Sequence, residues 1–390
     1  MKMNHGCASL GLIAASLFAP LQAMAMTEDE FHAIADQVFG PVMAEHAIPG
    51  MAIGVTMNGR HFVHTAGLAN RETGAPVEAG TLFELGSISK TFNATLAALA
   101  QERGLLSLED RVSAHLPALE GSAFGALGLM DLATHQTGGL PLQVPDGLST
   151  DAELTEWLAG WQPATEPGHE RSYSNISVGL LGRISGRAFG QGYAEALRQH
   201  LLAPLGLRDT HVDVPPEARP RYAYGYSRDG DRPIRVNPGM LDAEAYGIKS
   251  SAADMLLFLD AALGHADLPD DLRHAIAITH AGRTRTAHFD QAMIWERYDW
   301  PADRQTVLAG NGAAMVMESQ PARRLDTPTT AGEGVLLGKT GSTNGFGGYA
   351  ALIPDRDFGI VVLANRNYPV PARVEASLRM AEQLLEAGGL

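Results

Sequence analysis

The 390-residue chain predicts an α+β fold: an antiparallel sheet flanked by helices, with an all-helical lobe set between its strands. Three observations point there. Strand-like runs around tight turns occur early and late. The stretch from about 105 to 190 is nearly free of them. An amphipathic helix stands near each end of the chain.

The elements follow in order. Lys2, the small apolar run Gly6 to Pro20 and Ala23-Met24-Ala25 precede the acidic Thr27-Glu28-Asp29-Glu30. That is the pattern of a secretory signal cut after Ala25, so residues 1–25 are expected to be removed and the protein to reach the periplasm. The single cysteine, Cys7, falls in this segment, so the mature chain is expected to carry no disulfide and no thiol chemistry. Residues 29–47 keep a helical period, with Phe31, Ile34, Val38 and Phe39 on one side. Residues 51–57 and 61–67 read as strands around Asn58-Gly59, a hairpin signal because both positions tolerate positive φ. From Ser87 to about Arg103 the apolar residues Phe92, Leu96 and Leu99 recur at helical spacing, and Gly104 ends the run. Asp151–Trp161 and Val178–Ala188 are helices of the middle stretch. Gly348–Ile353 and Phe358–Leu363 are strands around the turn Pro354-Asp355-Arg356-Asp357. Residues 372–386 form a last helix, with Val374, Leu378, Ala381 and Leu385 on one face.

The early and late hairpins are expected to share one sheet beneath the first and last helices. The expected division is an α/β domain of residues 26–104 and 190–390, and a helical domain of residues 105–189. The active site is expected in the cleft between them.

Composition excludes some functions. Lys+Arg number 29 against 44 Asp+Glu, and the net charge of −15 is the reverse of a nucleic-acid or anionic-membrane binder. No segment beyond the N-terminus is long and apolar enough to span a bilayer. Neither nucleic acid nor stable membrane insertion is expected. No heptad or assembly segment appears, so a monomer is expected.

Three short motifs carry chemistry. In Ser87-Ile88-Ser89-Lys90, a helix would put the Lys90 amine beside the Ser87 hydroxyl, and a serine nucleophile needs such a base. Alone, this spacing arises about once by chance in a chain this long. Tyr173-Ser174-Asn175 offers a phenol for proton transfer and an amide for a substrate, or simply a polar loop before a helix beginning near Ser177. Lys339-Thr340-Gly341-Ser342 ends a strand-like run and offers a cation, backbone N–H groups and close backbone approach. Together, in this order, they supply a nucleophile, a proton shuttle, an amide binder and a carboxylate anchor. The first and third are paired in penicillin-recognising serine enzymes.

Around these motifs the sequence resembles the class C serine β-lactamases. The resemblance runs through Phe83–Phe92, Gly138–Pro145, Asn237–Gly247, Lys339–Gly347 and Asn367–Val374, essentially the whole mature chain. It implies a β-lactamase/transpeptidase-like fold, β-lactam substrates, cephalosporins in particular, and no cofactor or metal. It implies that Ser87 is acylated, that Lys90 and Tyr173 move the proton, and that Lys339 supports the Tyr173 charge and the substrate carboxylate with Thr340. Gln143 and Asn175 would contact the acyl amide, and Tyr246 would line the wall. Ser87 and Ser342 would supply the oxyanion N–H groups. Asn367 belongs to the substrate-binding set, and Arg373 would add positive potential. One position departs from the family: Val370 stands where an Asn usually helps hold the carboxylate.

Other chemistries fit poorly. His61 and His64 lie three apart on a strand and would face opposite sides, and His280 and His288 give no zinc pattern. Residue 85 is Leu, so Ser87 is not in a nucleophile elbow. The competing reading is a D,D-peptidase or esterase using the same serine; a sensor acylated only once is another. Sequence alone does not say whether Lys90 or Tyr173 takes the serine proton.

Overall fold

The computed structural model describes residues 26–330 and 334–388; the expected signal segment, residues 1–25 with Cys7, lies outside them. Ten strands form one sheet. In chain order they are β1 (Gly50–Met57), β2 (Arg60–Asn70), β3 (Ala75–Pro76), β4 (Gly282–Arg285), β5 (Asp290–Gln291), β6 (Glu296–Asp299), β7 (Arg323–Thr329), β8 (Val335–Ser342), β9 (Gly347–Ile353) and β10 (Phe358–Ala364). Across the sheet the order is β7-β4-β5-β6-β8-β9-β10-β1-β2-β3.

The two expected hairpins meet as β10 pairs antiparallel with β1, Ile53 opposite Val362 and Val55 opposite Ile360. Asn58 and Gly59 both take positive φ, 53° and 67°, as the β1–β2 turn requires. The period of two sorts residues between two cores. Met51, Ile53, Val55, Tyr349, Ile360 and Val362 pack under the helices α1 (Glu28–Glu45) and α7 (Val370–Ala387). Ala52, Ala350, Leu352, Val361 and Leu363 face the other helices. His61 meets Asp260 on that side, whereas His64 turns toward Asp36 and His32 of α1.

The second helical layer centres on α2 (Ser89–Glu102), which is buried from Ser89 through Ala100. It packs against α4 (Asn175–Ala188) and α6 (Asp270–His280), while α3 (Asp151–Gly160) lies farther out and α5 (Ala252–Leu263) covers β1 and β10. A helix buried all round must satisfy its polar groups internally. Asn93 donates to the Val178 and Glu244 carbonyls at 2.8 and 2.9 Å, and Thr95 bonds back to the Thr91 carbonyl.

The β4–β7 half of the sheet was absent from the sequence expectation. Its pieces, such as Gly282–Arg285 and Asp290–Gln291, are two to seven residues long and rich in charge, so no alternation marks them. Asn175–Ala188 also starts earlier than expected, because Ser174 caps it: its Oγ accepts from the N–H groups of Ile176 and Ser177 at 3.1 and 3.4 Å.

Candidate active site

Ser87 sits in a single helical turn, Gly86–Ile88, that runs into α2. The end of β8 presses directly on this turn. Gly86 has φ +53°, and a Cβ there would stand 2.4 Å from the Ser342 nitrogen. At Gly341 a Cβ would stand 1.9 Å from the Leu85 carbonyl oxygen. Glycine at both places lets two backbones approach where any side chain would force them apart.

One turn after Ser87, at the start of α2, the fully buried Lys90 Nζ donates to Ser87 Oγ at 3.0 Å and to the Ala245 carbonyl at 2.8 Å. Burial pushes its pKa down; the Tyr173 phenol opposes this and the Lys339 charge adds to it. Lys339, inward-facing on β8, reaches Glu296 Oε1 on neighbouring β6 at 3.3 Å. The same oxygen lies 3.7 Å from the buried Arg171 guanidinium.

Tyr173 stands among these cations. Lys90 Nζ, Lys339 Nζ and Arg171 Cζ lie 5.2, 5.5 and 5.2 Å from its ring centroid. Burial pushes the phenol up, but the Lys90 and Lys339 charges and hydrogen bonds from Ser87 and Lys90 outweigh it, and the pKa falls to about 8. Behind Tyr173, the Ser174 hydroxyl donates to the Pro141 carbonyl at 2.7 Å, and the Asn175 N–H donates to the Leu142 carbonyl at 2.8 Å. These bonds tie the start of α4 to the loop that carries Gln143.

The four residues expected to do chemistry are therefore adjacent; Ser87 lines a cavity of about 480 Å³, while Lys90, Tyr173 and Lys339 are buried. Ser87, Gln143, Asn175, Tyr246, Ser342 and Asn367 line it, as do Asn237, Thr343 and Asn344 from the segments of resemblance and the unforeseen Ile234, Arg235 and Val236. Thr340 is half-buried on β8 beside Lys339.

Arg373 is fully buried and, like Lys90, Tyr173 and Lys339, does not line the cavity. Its guanidinium donates to the Gly341 carbonyl at 2.7 Å, to Ser342 Oγ at 3.0 Å, to Asn367 Oδ1 at 3.1 Å and to the Tyr368 carbonyl. Burial lowers its pKa to about 10, with Tyr368 opposing and Arg228 adding. A lattice of acceptors holds it behind the β8 edge, so it braces Ser342 and Asn367 without reaching the cavity.

Sequence reasoning assigned no role to Glu296, His135 or Arg171. Glu296 had no signal of its own: only once Glu296–Asp299 is paired as a strand does it share an inward face with Tyr298, where a carboxylate needs a buried cation. His135 had none, since its neighbours come from residues 172–177 through packing alone.

The β-lactamase family model matches residues 35–385. A β-lactamase from Pseudomonas fluorescens is 40% identical over 344 residues, covering 88% of this chain and 96% of the relative. The class C β-lactamase structure from Rhodobacter sphaeroides superposes with a TM-score of 0.88 at 52% identity, over 90% of this chain and 99% of that one. The structure of a β-lactamase/D-alanine carboxypeptidase from Pseudomonas syringae superposes with a TM-score of 0.88 at 41% identity, over 90% of this chain and 98% of that one. With the family model spanning nearly all the described chain, and the Lys90, Tyr173 and Lys339 side chains gathered behind a Ser87 that lines the cavity, this chain belongs to the β-lactamase family, as a class C serine enzyme.

Proposed function

We propose that the protein opens the β-lactam ring, of cephalosporins in particular, through an ester on Ser87. The reading rests on one observation above others: the Lys90 amine lies 3.0 Å from Ser87 Oγ beside a phenol whose pKa has fallen to about 8. At pH 7 roughly a tenth of such a phenol is ionised, against about a thousandth for an ordinary tyrosine. The Lys90–Tyr173 pair takes the Ser87 proton as Oγ bonds to the lactam carbonyl carbon. The Ser87 and Ser342 N–H groups receive the oxyanion. The carbon–nitrogen bond then breaks, and the pair returns the proton to the departing nitrogen. Water repeats the attack on the ester with Tyr173 as base, releasing the opened acid and restoring Ser87. Lys339 and Thr340 hold the substrate carboxylate, while Gln143 and Asn175 hold the acyl amide.

The same proposal covers the setting. Residues 1–25 direct export to the periplasm, and the mature monomer divides into the α/β domain of residues 26–104 and 190–390 and the helical domain of 105–189. Among the described residues no helix is long and apolar enough to cross a membrane.

The test is steady-state turnover of a chromogenic cephalosporin, with intact mass before and after. Many turnovers without a lasting adduct are expected, and Ser87→Ala is expected to abolish them with the fold intact. A single burst leaving a stable Ser87 adduct would instead support a D,D-peptidase. That second reading is favoured by the likeness to the Pseudomonas syringae β-lactamase/D-alanine carboxypeptidase.

A further inference from the structure

His135 is buried, with 1% of its surface exposed, and its backbone lies in the left-handed region at φ +59°. Side chains other than glycine adopt that region at a cost, and where they do so in a buried site the side chain has a reason to be there. The contacts supply one. The His135 carbonyl accepts the Ser172 N–H at 2.9 Å. Its ring Nδ1 accepts the Ser174 N–H at 3.2 Å and lies 3.3 Å from Ser177 Oγ. Its ring centroid is 4.4 Å from that of Tyr173, tilted by 37°. One residue thus bonds the chain on both sides of Tyr173 and packs against Tyr173 itself.

The Ser174 N–H precedes the first turn of α4, so the helix offers it no carbonyl. For Nδ1 to accept it, the imidazole must be neutral, with its proton on Nε2. Nε2 is buried and finds no partner among the described residues. Burial, with the Arg171, Lys90 and Lys339 charges, pushes the imidazole's pKa well below its ordinary value, so the accepting form persists at neutral pH.

We infer that His135 is a positioning residue for acyl transfer: its Nδ1 acceptor and flat ring hold the Tyr173 phenol against Ser87 and Lys90 and set Asn175 at the cavity wall. The inference rests on the proposed serine chemistry. It explains why histidine occupies a conformation that suits glycine better. A smaller residue would relax the backbone but release the Tyr173 segment.

Three variants separate the contributions. His135→Phe keeps a ring but no acceptor. His135→Gly relaxes the backbone and keeps neither. His135→Asn tolerates the left-handed backbone and places Oδ1 where Nδ1 stood. The measurement is the Ser87 acylation rate constant with a cephalosporin, by rapid quench and intact mass, together with the pre-covalent Kd and the thermal midpoint. His135→Phe and His135→Gly are expected to slow acylation at least tenfold with Kd within threefold. His135→Asn is expected to recover most of that loss. A His135→Phe enzyme acylated at the wild-type rate would overturn the inference. So would His135→Asn as slow as His135→Gly, a comparison that stands even if the Phe variant does not fold. Wild-type protein never acylated on Ser87 would overturn the serine chemistry and this inference together, and would be recognised because Ser87→Ala then behaves identically.

Discussion

Tyr173 is chemically unusual only because of what surrounds it. Its phenol pKa of about 8 is a balance in which burial raises the value, and two ammonium groups together with hydrogen bonds from Ser87 and Lys90 more than cancel the rise. The sign of a neighbouring charge change follows. Glu296 Oε1 is the partner of Lys339 and lies near Arg171. Glu296→Gln removes a negative charge from beside two cations that face the phenol, so the Tyr173 pKa should fall further. Acylation, which rises with pH below the phenol's pKa, should then reach its plateau at lower pH, by up to roughly one unit. A pH profile of the acylation rate checks this, and a limb that stays put or moves to higher pH would contradict it. Tyr173→Phe should remove the limb altogether and cost at least about a hundredfold in acylation, the range of general acid–base catalysis.

At the scale of elements, the active site is made where a strand end and two helix starts are forced together. The contact of β8 with the Ser87 turn depends on Gly86 and Gly341 having no side chains. Gly341→Ala should push β8 from the turn, cost about 1–3 kcal/mol of stability through overpacking, and lower kcat/KM by around a hundredfold, because the Ser342 N–H moves off the developing oxyanion. Unchanged turnover would show that the two backbones need not touch. The start of α7 gives a second case. Val370 is its first residue, just after Pro369, and its side chain offers no hydrogen bond where helix N–H groups favour an anion. Val370→Asn should improve binding of β-lactams that keep their ring carboxylate, about threefold or more, and leave the neutral esters of the same compounds unaffected. An equal change for acid and ester would remove position 370 from carboxylate recognition. These elements were unequally legible. The early and late hairpins carry their own signal, in Asn58-Gly59 and in residues that alternate between two cores. Strands β4 to β7 carry none, since Gly-Arg-Thr-Arg or Asp-Gln becomes a strand only because a neighbour pairs with it. Arg373 was legible as a cation but not as a buried one, because charge and spacing do not say which side of β8 a guanidinium lies on.

At the scale of the whole molecule, the question is what joins the sheet to the loops that shape the cavity. Asn365, fully buried just past β10, is one such joint. Its Oδ1 accepts the Gly50 N–H of β1 at 2.7 Å, and its Nδ2 donates to the Leu68 carbonyl of β2 at 2.9 Å and to the Tyr224 carbonyl at 3.1 Å. Tyr224 belongs to the segment that leads to Ile234 and Arg235 at the cavity wall, and its ring lies 4.0 Å from the Arg235 guanidinium. None of these partners lies close to Asn365 in sequence, so no local pattern announces the joint; it exists only once β1, β2 and β10 are paired. Asn365→Ala strips a partner from one buried and two part-buried backbone groups at once. A buried group left unpaired costs about 1–3 kcal/mol, and with partial relaxation the whole change should cost roughly 2–4 kcal/mol. Ser87, Lys90 and Tyr173 are held by α2, α4 and β8, none of which Asn365 touches. The denaturant midpoint should therefore drop well below wild type, while kcat per folded molecule at low temperature stays within about threefold. The reverse pattern, an intact midpoint with lost turnover, would mean that Asn365 shapes the cavity through Tyr224 and contributes little to holding the sheet.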